Sequence, residues 1–252
     1  MSRISAQTWR ETLALRDDVR DALRRCDSLE AGAQELTQII YGEFSDSLVL
    51  SRLFVTVPYC ALPAVRQEFV DVMAQSRGAN EVHDETPVLS LLGSCGQEPR
   101  WKGAAQSQGH LAIPLTSTSF VAAIPMIAQL LQEMEVELDW LEEKEVANFA
   151  EKELGGGWIG IFYARDAGTA VDARERHVIS DQDFVTQYGV KTVFGLGGIY
   201  PEGAFFTLLF FTNETLEKAQ IEPYKALVPL IASNTSQLLS DGKIFAPSTS
   251  AR

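Results

Sequence analysis

Three residue types that can carry chemistry occur around one polar segment of the chain. Residues 93–109 contain Cys95 and Trp101, and His110 follows at the start of an apolar run. A thiol, an indole and an imidazole placed together could bind a soft metal or a haem, or support thiol chemistry. Cys95 stands between small residues, which favours exposure, but a reactive thiolate needs a lowered pKa and no Lys or Arg lies within four residues of it. The alternative interpretation of His110 is a strand-end histidine bonded to backbone.

Other motifs of chemical meaning are incomplete. Residues 195–198 (GLGG) resemble a phosphate loop, but Tyr200 stands where GxGxxG needs its last glycine. Residues 83–85 (HDE) lack the P-C-x-x-C half of a zinc deaminase signature. Asp181 and Asp183 could pair as acid and base, but their SDQDF context favours a helix cap. We therefore predict no catalytic residue and no metal site, and the identity of any cofactor stays open.

Charge and composition exclude several classes of protein. The 252 residues include 34 acidic and 21 basic side chains, a formal net charge of −13. This argues against nucleic acid or an anionic membrane as the main partner, because both bind clustered Lys and Arg. The N-terminus lacks the apolar core of a secretion signal, no apolar run approaches the roughly 20 residues that cross a bilayer, and three scattered cysteines do not form a disulfide framework. We expect a cytoplasmic protein.

One stretch holds much of the excess acid. Residues 133–153 contain nine acidic and two basic side chains, so their net charge is −7. A solvated face is the ordinary interpretation of such a stretch, and a partner-docking face is the alternative. Residues 133–140 alternate acidic and apolar side chains, which fits a strand or a frayed helix end.

Hydrophobic periodicity predicts helices and strands along most of the chain. The predicted helices cover residues 7–27, 29–42, 62–78, 119–133, 183–188 and about 222–238. The predicted strands cover residues 47–57, 87–92, 110–115, 158–164, 192–200 and 204–212. Asp27 or Ser28 should cap the second helix, and Pro229 should bend the last one. The residues expected to face inward include Trp9, Leu13, Val19 and Leu23 in the first helix, Val65, Phe69, Val72 and Met73 in the third, and the cysteines Cys26 and Cys60.

The clearest signal is a hairpin over residues 192–212. Pro201 suits the second position of a tight turn, and Gly203 suits the position that closes it. Residues 205–211 (FFTLLFF) are apolar at both odd-numbered and even-numbered positions, which point to opposite faces of a strand, so this strand must be covered on both faces. Consecutive strands joined by tight turns predict an α/β (α+β) fold with a mainly antiparallel central sheet flanked by helices.

Several strings in this chain resemble GAF/PAS-type sensor regions of bacterial signalling proteins, which often precede histidine kinases. The strings are LVLSRLFVTVPY (48–59), PVLSLLGSCGQEPRW (87–101), SQGHLAIPL (107–115), IPMIAQLL (124–131), QDFV (182–185) with the glycine after it, and VFGLGGIYPEGAFFTLLFFT (193–212). The resemblance implies a cytoplasmic input module with a covered pocket on one side of the sheet and terminal helices that dimerise. It divides the chain into a helical extension (1–28), a GAF-like domain (29–240) and a flexible tail (241–252).

The leading hypothesis is a non-catalytic sensory or ligand-binding domain that acts as a homodimer. Only SDGKIFAPSTSAR follows Leu239, so we expect the signal to pass in trans to a kinase or regulator of a two-component system. Small GAF-type reductases suggest a second hypothesis, a thiol-dependent enzyme using Cys95. An acidic interaction scaffold is the third. The candidate residues for binding a small-molecule ligand are Cys95, Trp101, His110, Tyr59, Gly197 and Tyr200.

Overall fold

The centre of the molecule is one antiparallel sheet. The computed structural model describes residues 2–78, 82–107, 110–133 and 159–247. Within these residues six strands pair antiparallel in the order β3-β2-β1-β6-β5-β4. Their bounds are β1 Leu48–Pro58, β2 Pro87–Gly96, β3 Ala112–Pro114, β4 Ile159–Ala164, β5 Thr192–Ile199 and β6 Phe205–Thr212. The predicted fold class, a mainly antiparallel central sheet flanked by helices, is confirmed.

Helices lie on both sides of this sheet. The described α-helices are α1 Trp9–Leu23, α2 Leu29–Glu43, α3 Ala64–Ser76, α4 Thr118–Ala122, α5 Pro125–Glu133, α6 Gln182–Gln187, α7 Lys218–Ile221 and α8 Leu227–Ser240. Short 3-10 turns cover Ile4–Ala6, Tyr59–Ala61, Pro99–Trp101, Ala104–Gln106 and Glu222–Ala226. None of these described helices is long and apolar enough to cross a membrane.

The hairpin of β5 and β6 lies where its apolar pattern requires. Every residue of β6 is buried between β1 and β5, and the rings of Phe194 and Phe210 stack with centroids 4.4 Å apart. The amide of Gly203 donates to the Tyr200 carbonyl at 2.9 Å, and Gly203 adopts φ +87°, which a residue with a side chain rarely does. The predicted hairpin and its central position are confirmed.

The two faces of the sheet are covered differently. One face, which we call the helical face, packs against α1, α2 and α8 through a core that includes Leu36, Ile40 and Leu53. The other, which we call the loop face, packs against α4, α5, α6 and their connecting segments through a core that includes Leu50 and Phe54. β1 serves both cores because alternate residues of a strand point to opposite faces.

Two helices present different sides from those expected. In α3 the buried stripe is Arg66, Val70 and Ala74, whereas Val65 and Val72 are 70% and 63% exposed. The prediction for Val65 and Val72 is therefore wrong, because Arg66 finds acceptors in Ser90, Leu91 and Leu111 and turns its own side of the helix inward. Trp9 and Leu13 of α1 are likewise exposed, while Val19 and Leu23 are buried as predicted. Cys60 is exposed and Cys26 only half-buried, so their predicted burial is also wrong.

Prolines account for the altered helix bounds. The stretch expected as one helix from residue 119 is two, because Ser117 caps α4 and Pro125 opens α5. Pro229 lies in the first turn of α8, where its missing amide costs no hydrogen bond, so the predicted bend has no cause there. Ser28 caps α2 as predicted.

Parts of the prediction stay untested. The alternating residues 133–140 and the acidic stretch 133–153 lie outside the described residues except for Glu133. The division at residues 28 and 240 stays a prediction. Helix α1 contributes Leu15 and Val19 to the core of the helical face, and the amides of Leu29 and Glu30 bond the carbonyls of Lys243 and Ile244.

Candidate ligand-binding cavity

A cavity of about 480 Å³ opens on the loop face of the sheet. Its floor is formed by Leu50, Arg52 and Phe54 of β1 and by Leu209 and Phe211 of β6. These residues share one face because alternate positions of a strand point the same way. A volume of this size matches pockets that enclose small organic molecules.

An aromatic cluster forms one wall of the cavity. Trp101 meets Tyr188 and Phe184 edge to face, with centroids 4.7 Å and 5.6 Å apart, and Phe184 meets Phe211 at 5.6 Å. Ser94 holds Trp101 in place, since its hydroxyl donates to the Trp101 carbonyl at 2.9 Å. The wall therefore offers flat apolar surface to a ligand.

Two glycines and an aspartate let this wall form. A Cβ at Gly96 would lie 2.9 Å from the Trp101 ring, so the indole reaches its position only because β2 carries glycine there. Asp181 accepts a hydrogen bond from the Phe184 amide at 2.9 Å and so begins α6, confirming the predicted cap. Gly189 adopts φ +62° just after α6, which reverses the chain behind Tyr188.

Arg52 places a charge at the floor of the cavity. Its Nη2 donates to the Ser107 hydroxyl at 3.3 Å, and its Nε is buried without any hydrogen-bond partner. It makes no ion pair with any residue the structure describes. Desolvation lowers the pKa of Arg52 to about 10, so the guanidinium remains charged at neutral pH.

His110 lies at the mouth of the cavity. Its side chain is exposed, yet the surrounding wall removes part of its hydration, and this, together with the positive charges of Arg52 and Arg77, lowers its pKa. The negative charge of Asp181 opposes the shift. The imidazole is therefore neutral at pH 7, and the cation of the cavity floor is Arg52 alone.

The structure brings two of the six predicted ligand-binding residues to this cavity. Trp101 and His110 line it. Cys95 belongs to β2, is buried, and lies near Tyr41 of α2; desolvation raises the pKa of its thiol. The loop expected to start at residue 93 begins only after Gly96, which places Cys95 inside the sheet.

The other three predicted residues lie away from the cavity. The Tyr59 hydroxyl bonds both carboxylate oxygens of Asp71 at 3.0 Å and 3.1 Å. Gly197 is buried in β5, paired with β4 and β6. Tyr200 is fully buried, and its hydroxyl meets that of Thr235 at 2.9 Å.

Arg52, Phe184, Tyr188 and Phe211 are cavity residues that sequence reasoning did not select. Arg52 carried a signal, because it is the only charged residue of an otherwise apolar or hydroxyl-bearing strand. A charge at such a position must meet a partner or a cavity. Among the described residues no group of three His, Cys, Asp or Glu side chains could hold a metal ion.

Comparisons with known proteins return matches among solved structures only. No protein-family model matches the sequence, and no curated protein matches it. The phycoerythrobilin-bound GAF domain of a cyanobacterial phytochrome is similar over 91% of this chain and 96% of its own, with 12% identity and a TM-score of 0.49. The GAF domain of the Acinetobacter phosphoenolpyruvate-protein phosphotransferase is similar over 93% of this chain and 98% of its own, with 10% identity and a TM-score of 0.47.

Both of these solved structures are GAF domains. At 10–12% identity the likeness concerns the fold, so the function must be argued from the cavity itself.

Proposed function

We propose that this chain is a non-catalytic sensory domain that binds a small molecule in the cavity of the loop face. The observation that carries the proposal is an aromatic-walled cavity of about 480 Å³ with a half-buried arginine at its floor, whose Nε is shielded from solvent. Convergence of apolar walls with few polar groups is the general form of a ligand site. We further propose that the domain works in the cytoplasm, away from nucleic acid and membranes.

Signal output would use the terminal helices. Helix α8 packs on the helical face and α1 packs against α2 and α8, on the side of the sheet opposite the cavity. Trp9 and Leu13, one turn apart on α1, are 68% and 43% exposed and offer apolar surface to a second copy. We propose a homodimer that signals in trans to a kinase or regulator. Sedimentation of wild type against Trp9→Ser would test it, and equal masses for both would contradict this dimer.

The reductase alternative has less support. The thiol of Cys95 is buried, desolvation raises its pKa, and it does not line the cavity. A thiol nucleophile needs the opposite environment. Loss of a thiol-dependent reductase activity in Cys95→Ser, with Cys60→Ser as control, would favour the enzyme. The scaffold alternative rests on residues 133–153, outside the described part except Glu133, and predicts partner capture that weakens with salt.

A thermal-shift screen tests the proposed function. Wild type is compared with Ile124→Trp, which fills part of the cavity, and with Val65→Trp, which adds the same ring on an exposed helix position. We expect compounds that raise the melting temperature of wild type and Val65→Trp but not of Ile124→Trp, because only the last loses the ligand volume. A broad screen without such compounds, or with compounds indifferent to Ile124→Trp, contradicts the proposal.

A further inference from the structure

A half-buried guanidinium whose Nε is shielded from solvent, with no counter-charge among the described residues, needs an explanation in terms of free energy. Removing a guanidinium from water is costly unless its donors are paired. The Nε of Arg52 is shielded from solvent and has no partner, and the Ser107 hydroxyl is its one hydrogen-bond acceptor among the described residues. Desolvation of this guanidinium therefore costs free energy that no ion pair with a described residue offsets.

The other charges of the cavity lie at its mouth. Asp181 and Asp183 are exposed on α6, and Arg100 is exposed beside Trp101. Water screens these three groups, so their influence on a ligand is weak. Arg52 is therefore the one strong electrostatic feature of the cavity among the described residues, and it is positive.

We propose that the ligand is a monoanion, an aromatic carboxylate, whose charged group binds the guanidinium of Arg52 while its ring lies against the wall of Trp101, Phe184 and Tyr188. This rests on the proposed function and deepens it. The fork of a guanidinium matches the two oxygens of a carboxylate. A single charge fits better than a double one, because Arg52 is the single cation at the floor of the cavity among the described residues.

The aromatic body follows from the surroundings of the cation. Leu50 and Phe54 flank Arg52 along β1, and Leu209 and Phe211 lie on the neighbouring strand. A ligand that reaches Arg52 must replace water on these apolar side chains and on the indole of Trp101. Flat rings do so with large buried area and little loss of conformational freedom.

Four probes with one shared ring system separate charge from shape. They are 2-naphthoate, 2-naphthamide, 2-naphthylmethylammonium and 2-naphthyl phosphate, each titrated by calorimetry into the full chain. We expect naphthoate to bind about tenfold or more tighter than the amide, the size of one charge-assisted hydrogen-bonded pair. The ammonium should bind more weakly than the amide, and the phosphate no more tightly than naphthoate.

Two variants assign the preference to its residue. In Arg52→Met naphthoate should fall to the affinity of the amide, while the amide itself keeps its wild-type affinity because methionine preserves the apolar floor. Arg165→Met is the control, because Arg165 is 61% exposed and does not line the cavity, so its removal should change naphthoate affinity by less than about threefold.

The outcomes distinguish this inference from the proposed function. Equal binding of naphthoate and amide, or a preference that survives in Arg52→Met, overturns the carboxylate while leaving the cavity as a ligand site. Tighter binding of the phosphate overturns the monoanion. If none of the four probes binds while the thermal-shift screen finds compounds that depend on Ile124, the aromatic carboxylate is wrong and the cavity remains a ligand site. If the screen also finds none, the proposed function fails as well.

Discussion

Two arginines lie on opposite faces of the same sheet, Arg66 buried and Arg52 half-buried, and their surroundings differ. Arg66 of α3 reaches the edge of the helical face, where Nη1 donates to the Ser90 hydroxyl at 3.0 Å and to the Leu91 carbonyl at 2.5 Å. Its Nη2 forms an ion pair with Glu30 of α2 at 2.7 Å. Arg52, on the loop face, has one hydrogen bond and no ion pair among the described residues.

The difference shows what each arginine is for. Arg66 links α3 to α2 and to β2, so its charge is already paired within the fold. Arg52 links nothing but the segment around Ser107, so its charge remains available. Burial alone does not separate a structural arginine from a binding one, whereas the count of satisfied donors does.

Removal of Arg66 should give the largest effect on stability. Arg66→Met leaves Glu30, Ser90 and two carbonyls without their donor, and we expect a loss of about 3 kcal/mol, because breaking a buried pair strands the remaining charge. Urea unfolding followed by circular dichroism measures it.

The matched control is an exposed arginine pair. Arg165 and Glu217 are 61% and 60% exposed, so Arg165→Met should cost less than about 1 kcal/mol. If Arg66→Met proved as mild as this control, the structural role given to Arg66 would be wrong.

The next largest effect comes from the close approach of α2 to β2 at Gly93, compared with the open surroundings of Gly103. A Cβ at Gly93, on β2, would lie 2.2 Å from the carbonyl oxygen of Ala33 in α2, so Gly93→Ala must push that helix away from the sheet. We expect a loss of about 2 kcal/mol by urea unfolding. At Gly103, in the segment over the cavity, a Cβ meets nothing within 4 Å, and Gly103→Ala should be close to neutral. Equal costs at both sites would mean that α2 does not lie as close to β2 at Gly93 as the structure places it.

The sheet was predictable from sequence because its signals are local. Residues 205–211 are apolar at both parities, which is typical of a strand covered on both sides, and Pro201 with Gly203 marked the turn. The buried face of α3 was predicted wrongly because the apolar pattern gives no weight to a charged residue. Arg66 is nevertheless buried, since backbone and side-chain acceptors on neighbouring elements bind its guanidinium. Periodicity alone does not report such acceptors.

The cavity was predictable only in part because it joins distant elements. Trp101 and His110 belong to the segment selected from sequence, but Tyr188 and Phe211 reach the cavity through α6 and β6. Whether Cys95 is expected to line the cavity depends on where β2 ends. Once β2 extends to Gly96, neighbouring side chains point to opposite faces, so Ser94 meets Trp101 while Cys95 lies near Tyr41 of α2.

Replacement of Arg52 should move stability in the opposite direction from replacement of Arg66. Arg52→Met removes a buried cation and its unpaired Nε while leaving one hydroxyl, that of Ser107, without its donor. We expect the ligand-free protein to gain about 1 kcal/mol, because apolar replacements of imperfectly paired buried charges are often stabilising. Urea unfolding without added ligand measures it. A loss comparable with that of Arg66→Met would show that Arg52 has structural partners after all.

The smallest expected difference in stability is between the caps of two helices. Ser28 caps the fifteen-residue α2 on the helical face, with its hydroxyl 3.2 Å from the Ala31 amide, and Ser28→Ala should cost about 1 kcal/mol. Asp181 caps the six-residue α6 beside the cavity, and its exposure should reduce the cost of Asp181→Ala to about 0.5 kcal/mol.

The same pair separates stability from binding. Phe184 is held in the cavity wall by the start of α6, so Asp181→Ala should weaken the binding of 2-naphthamide, a probe whose affinity does not depend on charge. Ser28→Ala should leave that affinity unchanged despite its larger cost in urea unfolding, because α2 lies across the sheet from the cavity. If both variants weakened 2-naphthamide binding in proportion to their loss of stability, the weaker binding would follow from loss of folded protein. The loop face would then not be a separate binding region.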